Sequence, residues 1–189
     1  PSPREVAGMT ELLHEVEAAP AAYPVVAVYP HRHYETPLPE QAVVDPAIVW
    51  RRIEAHVAHR WTTRTVVWTV AGPGEWKPRL TPATVTSSER WTGAEWAAVT
   101  LAASPLGGLE LPGDGPYRIT ATVGGGTVPE DVAEAFRRLH EYSRGIAESF
   151  RDELAMVEVP ETTYAASRAG KALQLSGAAD LLRPYRRAT

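Results

Sequence analysis

The spacing of apolar residues predicts a long amphipathic helix in the second half of the chain. From Val132 onward, apolar residues recur three and four positions apart, which is the period of one helix face. Thr127 and Glu130 have capping-box spacing, and Asp131 adds negative charge near the positive end of the helix dipole. We therefore predict a helix over residues 128–153. Its buried face is predicted to carry Val132, Phe136, Leu139, Ser143, Ile146 and Phe150.

A strand and a glycine turn precede this helix. Residues 117–123 alternate between apolar and polar positions, and three glycines at 124–126 let the backbone reverse at little steric cost. A glycine turn can hold a phosphate, but this one lacks the lysine and the spaced glycines of known phosphate-binding motifs. Glu130 and Asp131 also place two carboxylates where an anion would dock. We expect an ordinary connection between a strand and a helix.

Two further helices are predicted in the first third of the chain. The first covers residues 3–19, because Ser2 and Glu5 have capping-box spacing and a 3-4-3 apolar stripe follows. That stripe consists of Val6, Met9, Leu13 and Val16. The second begins at Asp45 and Pro46, which are typical of a helix start, and covers residues 46–61. Its apolar face consists of Val49, Trp50, Ile53, Val57 and Trp61.

The remaining pattern predicts short strands and long connections. Alternation favours a strand over 64–71 and a hairpin of 83–91 with 94–101, and the Gly- and Pro-rich segment 104–116 has room only for short strands. The Pro-rich segment that follows Pro20 is predicted to be an extended loop with a short edge strand at 25–29.

The predicted fold class is α+β. It combines a small helical bundle, made of two main helices and the N-terminal helix, with an inserted antiparallel β-subdomain and extended N- and C-terminal arms. The domains are predicted as an N-terminal helix and Pro-rich arm at 1–42, a core at 43–159 with the β-subdomain at about 64–123, and a C-terminal tail at 160–189. Residues 165–172 of that tail are predicted to be helical.

Composition narrows the class of protein. The 189 residues are 44% hydrophobic and 22% charged, as in ordinary globular proteins, and no apolar run reaches the ~20 residues of a membrane helix. The net charge of −4 argues against a protein that grips nucleic acid, which needs a basic surface. There are no cysteines, so disulfides and thiolate metal sites are excluded. We expect a soluble cytoplasmic product.

Six histidines could supply ligands for a metal ion, but their spacing indicates a metal site only weakly. His56 and His59 are three positions apart in a predicted helix, and His31 and His33 are two apart in the Pro-rich arm. An HExxH pattern is absent. A polar helix flank and two loop histidines explain the same residues, so we expect no metal and no cofactor.

No catalytic residue is predicted. A strained G-x-S-x-G elbow for a serine nucleophile does not occur, and none of the many acidic residues forms a distinctive pair. Trp50, Trp61 and Trp68 are in phase with apolar neighbours and are expected in the core, whereas Trp76, Trp91 and Trp96 are less clearly buried. The basic tail is predicted to be a docking peptide for a protein partner, because no wider basic patch supports nucleic-acid binding. Its residues are Leu181, Leu182, Arg183, Pro184, Tyr185, Arg186 and Arg187.

Four segments, in this order and spacing, resemble the head–tail connector (portal adaptor) family of tailed bacteriophages and gene transfer agents. The resemblance runs from residue 43 to the C-terminus, and the first 42 residues depart from the family pattern. The segments are IEAHVAHRWTTRTVVWTV, RLTPATVTSSERWTGAEW, GPYRITATVGGGTVPEDVAEAFRRL and ADLLRPYRR.

The resemblance implies a non-enzymatic structural protein of the virion. Such a protein forms a homo-oligomeric, usually dodecameric, ring beneath the portal protein and receives the tail or its stopper or terminator protein. DNA passes through the channel without sequence-specific binding, and the C-terminal segment docks on the portal. The alternatives are a tail completion or terminator subunit and, as a different class, a small metal-dependent hydrolase.

Overall fold

The computed structural model describes residues 10–29, 44–105, 107–155 and 171–186, and it confirms a mixed α+β fold with antiparallel sheets. The chain divides into two compact units. One comprises Pro1–Ala22 and Arg60–Gly126, and the other comprises Tyr23–His59 and Thr127–Thr189. The first unit contains the strands and the second contains the helices.

In the part of the chain that the structure describes, the β unit contains two antiparallel sheets. The five-stranded sheet has the order β1-β2-β8-β4-β5, and the three-stranded sheet has the order β3-β7-β6. The strands are β1 Glu11–Glu17, β2 Arg64–Ala71, β3 Gly74–Trp76, β4 Ala83–Trp91, β5 Trp96–Ala98, β6 Ala102–Ser104, β7 Gly108–Leu111 and β8 Tyr117–Val123. The predicted strands 64–71 and 117–123 are thereby confirmed, as is the hairpin of β4 with β5, although β5 is shorter than predicted.

The core of the β unit lies on one face of the five-stranded sheet. Alternation places every second residue of β2 and β8 inward, since successive side chains of a strand point to opposite faces. Trp68 is fully buried there and packs edge-to-face on Trp76, with 5.4 Å between the ring centroids. The other members of this buried cluster are Val66, Val70, Leu80, Leu111, Tyr117, Ile119, Ala121 and Val123.

Within the described residues, the helical unit contains two main helices and two short ones. They are α1 Pro46–His56, α2 Glu130–Ala155, α3 Ala172–Leu175 and α4 Ala178–Leu181, followed by a 3₁₀ turn at Arg183–Tyr185. The side chain of Asp45 accepts a hydrogen bond from the Ala47 N–H, which confirms the predicted cap of α1. α1 packs on α2 through Trp50 and Phe136, whose ring centroids are 5.1 Å apart. α1 ends at His56, five residues before the predicted end at 61, because Val57 has an extended backbone. Val49, Trp50 and Ile53 of the predicted apolar face are buried on the helix, and Val57 and Trp61 are buried beyond its end.

The predicted N-terminal helix is wrong over Glu11–Glu17, which form an edge strand paired with β2. Polar contacts of its glutamate side chains stabilise this strand. Glu17 accepts from Arg60 Nε at 2.6 Å and from Arg64 at 3.1 Å, and Glu15 accepts from the Trp68 indole at 2.7 Å. Two of the inward positions of the strand are therefore carboxylates, and the helical stripe in the sequence includes residues that lie at the surface.

Two further expectations fail within the described residues. Residues 25–29 form neither strand nor helix. Residues 171–186 form short helices and a 3₁₀ turn, not an extended C-terminal arm, and α3 and α4 pack against α2. Several predictions lie outside the described residues. These are the helix start at 3–9, the loop at 30–43 with His31 and His33, the helical segment 165–170, and Arg187.

Candidate functional site

The C-terminal turn and the start of α2 form the polar cluster that we consider the candidate site. The Tyr185 hydroxyl is within hydrogen-bond distance of both oxygens of the Asp131 carboxylate, at 3.0 and 3.1 Å. Asp131 lies in the first turn of α2, where its charge also complements the helix dipole. Burial, together with the hydrogen bond to the Asp131 carboxylate, raises the pKa of the Tyr185 hydroxyl, which is thus a neutral donor at physiological pH.

The segment that follows α1 holds the other side of Tyr185. The Ala58 N–H donates to the Tyr185 carbonyl at 3.2 Å, and the His59 ring packs on the Tyr185 ring edge-to-face, with 6.1 Å between the centroids. Tyr185 therefore joins three parts of the helical unit: the segment after α1, the start of α2 and the C-terminal turn.

His56 lies at the end of α1, close to the same turn. Its Nε2 atom is buried and has no hydrogen-bond partner among the described residues. Burial, and secondly the positive charge of Arg186, lowers the pKa of His56 below its ordinary value of 6.5. The imidazole is therefore neutral at physiological pH.

The predicted docking residues divide into two groups. Leu182 is fully buried, so it belongs to the core of the helical unit and is not free to dock. Leu181 and Tyr185 are half-buried. Arg183, Pro184 and Arg186 are exposed, and they leave two guanidinium groups beside the Tyr185 turn. Such groups bind carboxylates through paired N–H donors, so this surface can contact an acidic partner but offers no nucleophile or general base.

The local sequence explains why this tail folds back. Ala178 and Leu182 are four residues apart on one helical face, and both are fully buried. Gly177 begins that turn with a φ of +73°, a left-handed conformation that glycine adopts without strain. The i, i+4 spacing of Ala178 and Leu182 indicates a buried helix face, and the prediction that Leu182 docks on a partner overlooked it. The Tyr185–Asp131 hydrogen bond had no such signal, because 54 positions separate the two residues.

The described part of the chain bears on three expectations, which concern a histidine metal site, the burial of three tryptophans and membrane-spanning helices. His56 and His59 belong to no group of three or more potential metal ligands there. Trp76 is buried, Trp91 is exposed and Trp96 is half-buried. Among the described residues, no helix combines the length and the apolar character required to cross a membrane.

Comparisons of the chain with protein families, with curated proteins and with solved structures find no match.

Proposed function

We propose that this protein is a head–tail connector, a structural adaptor of the virion that assembles as a ring beneath the portal protein and joins it to the tail, stopper or terminator protein. In this proposal the chain is not an enzyme and needs no cofactor. It assembles in the host cytoplasm, functions at the head–tail interface, and lets DNA pass through the ring.

One observation carries the proposal. Two motifs that belong to the resemblance, VPEDV at the start of α2 and LLRPYR at the C-terminus, meet in the folded chain through Tyr185 and Asp131. Residues that are far apart in sequence but act as one structural element are expected to recur together. The pairing therefore supports reading both motifs as parts of one family pattern.

The proposal also names the surface that contacts the portal. Because Leu182 is buried, the exposed side chains of Arg183, Pro184 and Arg186 are the ones available to a partner in the folded subunit. Two guanidinium groups fit a carboxylate-bearing surface on the portal. The helical bundle, made of α1 and α2, supports this surface through the Tyr185 turn.

The experiment measures binding of the purified chain to the portal protein encoded by the same genome. The double variant Arg183→Glu, Arg186→Glu reverses both exposed charges, and we expect it to lose about tenfold or more in affinity while its thermal unfolding stays unchanged. Arg51→Glu, at an exposed position of α1, is the matched control and should bind like the wild type. Full binding by the double variant would remove this surface from the proposal. No binding by the wild type would remove the function itself.

A further inference from the structure

One ring nitrogen of His56 is buried without a hydrogen-bond partner. This atom, Nε2, is shielded from solvent, and no described residue makes a hydrogen bond to it. A neutral imidazole tolerates such a site, because Nδ1 can carry the proton and leave Nε2 as an unused acceptor. An imidazolium carries a proton on both nitrogens, so it would bury an N–H donor that has no acceptor. Protonation of His56 therefore costs more free energy in this position than at an exposed histidine.

The charges around His56 oppose its protonation as well. Burial lowers the pKa of His56, and the positive charge of Arg186 in the C-terminal turn lowers it further. No other charge of the described residues shifts the pKa of His56. The elements that meet at the turn carry further charged or titratable residues, which are Arg52, Glu54 and His59 in α1 and the segment after it, Glu130, Asp131 and Glu134 at the start of α2, and Asp180, Arg183 and Tyr185 in the C-terminal segment. A protonated His56 would therefore have a cation beside it and no carboxylate that offsets the charge.

The C-terminal turn is attached by contacts that a local opening can break. The Ala58 N–H donates to the Tyr185 carbonyl at 3.2 Å. The last hydrogen bond of the turn, from the Arg186 N–H to the Arg183 carbonyl, is 3.3 Å long. Exposed turns with few buried contacts open at a lower free energy than the core does. Leu182, by contrast, is fully buried, so the segment before the turn stays anchored.

We infer that His56 is a pH switch for the C-terminal turn. While His56 is neutral, the turn stays closed, with the Tyr185 carbonyl bound to the Ala58 N–H. When His56 takes up a proton, residues 183–186 move away from the end of α1. This opening separates Arg186 from the imidazolium and lets water accept a hydrogen bond from Nε2. The helices and Leu182 keep their places, so the transition is a local opening and not the unfolding of the unit.

The direction of the switch follows from the pKa of His56 in the two states of the turn. In the open state the ring is solvated and titrates near its ordinary value of 6.5, whereas in the closed state its pKa is lower. The open state therefore binds the proton more tightly. The closed state is fully favoured above about pH 6.5, and it loses population as the pH falls from there to the lower pKa. Because one pKa unit corresponds to about tenfold, we expect the opening equilibrium to rise about threefold to tenfold between pH 7.5 and pH 5.

The switch regulates the surface that we assign to the portal. Arg183 and Arg186 are held in one fixed arrangement only while the turn is closed, so a neutral His56 presents both guanidinium groups to a partner. This consequence rests on the proposed function. The switch itself is a property of the chain alone and is measured without a partner.

Nuclear magnetic resonance of the full chain measures the switch. Titration of the imidazole signals gives the pKa of His56, and a value at or above 6.5 would overturn the inference. Hydrogen exchange of the Ala58 N–H, compared at each pH with the rate of an unstructured chain, gives a protection factor that reports the opening. From pH 7.5 to pH 5 this protection should fall about threefold to tenfold. Amides in the middle of α2 should lose less protection, and an equal loss there would overturn the local opening.

Two histidine variants assign the effect. His56→Leu removes the titrating group and leaves an apolar side chain of similar size where the buried nitrogen had no partner. Protection of the Ala58 N–H should then become independent of pH and stay at least as high as in the wild type. His59→Gln, at the other histidine beside Tyr185, is the matched control and should keep the pH dependence. A pH dependence that persists in His56→Leu, or that His59→Gln alone abolishes, would overturn the inference.

Arg186→Gln tests the role of the neighbouring charge at an exposed position. Removal of the charge brings the pKa of His56 in the closed turn nearer to its ordinary value, so the fall in protection should become smaller without disappearing. An unreduced fall would overturn the inference, and this result does not depend on whether His56→Leu folds. Portal binding at pH 7.5 is a separate readout. A chain that binds the portal but whose turn ignores pH removes only the switch, whereas a working switch without portal binding removes only the proposed function.

Discussion

The Tyr185 hydroxyl lies 3.0 Å from one oxygen of the Asp131 carboxylate and 3.1 Å from the other, and so joins the C-terminal turn to the first turn of α2. The carboxylate accepts from a neutral phenol at a helix start, where negative charge is favoured. The C-terminal turn is therefore a structural part of the helical unit, and its outer side alone is left for partners.

Removal of this hydrogen bond should loosen the C-terminal turn. Tyr185→Phe keeps the ring and its contact with His59 but removes the donor to Asp131. Hydrogen bonds to charged groups contribute about 1.5–3 kcal/mol, and partial exposure of Tyr185 places the expected loss of unfolding free energy near 1–2 kcal/mol. Tyr142→Phe, at a half-buried tyrosine of α2, is the matched control. Hydrogen exchange at residues 178–186 should quicken in the first variant and not in the second.

Leu182 should contribute strongly to the stability of the helical unit. Its side chain is fully buried, so Leu182→Ala leaves a cavity and should cost about 2–5 kcal/mol of unfolding free energy. Leu175→Ala removes the same atoms from a leucine that is 54% exposed, and it should change the free energy by less than about 0.5 kcal/mol. Denaturant titration of both variants gives the comparison. Equal effects would mean that Leu182 is not buried in solution.

Alanine substitutions at different glycines of the turn before α2 should cost different amounts of unfolding free energy. A Cβ at Gly124 would lie 2.3 Å from the Thr62 carbonyl oxygen, whereas one at Gly126 meets nothing within 4 Å, and both glycines have positive φ. Gly126→Ala should therefore cost only the left-handed strain of about 1–2 kcal/mol. Gly124→Ala adds a clash with backbone and should cost clearly more. Denaturant midpoints of the two variants measure the difference, and equal midpoints would contradict the close approach.

Acid should destabilise the helical unit first. Burial lowers the pKa of His140, which stacks on Phe136, although contributions from the Val44 backbone and Glu141 oppose this, and burial also lowers the pKa of His56. A histidine whose pKa is depressed in the fold is protonated more readily when unfolded. The unfolding free energy is therefore unaffected above about pH 6.5 and falls as the pH drops below that value, until the folded-state pKa is reached.

The β unit should lose stability only at a lower pH than the helical unit does. Burial alone would raise the pKa of Glu17, but hydrogen bonds and charges from Arg60 and Arg64 outweigh burial and lower it. This stabilisation is present above the ordinary pKa of 4.5 and is lost as the pH falls through the depressed value. Hydrogen exchange measured at pH 7.5, 5.5 and 4 should show weaker protection in α1 and α2 before β1 and β2. His140→Gln should reduce the first effect, and simultaneous loss in both units would contradict this order.

Local pattern was enough to predict the elements whose buried faces are apolar. β8 alternates strictly between apolar and polar residues, and β2 does so with exceptions such as Arg64 and Val67. α1 buries Trp50 and Ile53 at helical spacing, so the positions of these elements follow from the sequence. β1 was not predicted as a strand because two of its inward positions carry the polar residues Glu15 and Glu17. These carboxylates are stable there only because Trp68, Arg60 and Arg64 supply donors, and those residues lie 43 or more positions away.

The candidate site was predicted only in part, for the same reason. Tyr185 and the arginines beside it were singled out from their motif, but the partner of Tyr185 is set by tertiary packing. Leu182 was assigned to docking although its spacing from Ala178 indicates a buried helix face. A short apolar motif at a chain end gives no means of telling a core contact from an exposed one until its neighbours are known.

The most direct test of the account is the particle mass of the portal protein from the same genome, measured with and without this chain. The account predicts that the portal ring gains about a dozen copies of the chain, one per portal subunit, and that the Arg183→Glu, Arg186→Glu variant adds far fewer copies at the same concentration. An unchanged portal mass in the presence of excess folded chain would contradict the adaptor function.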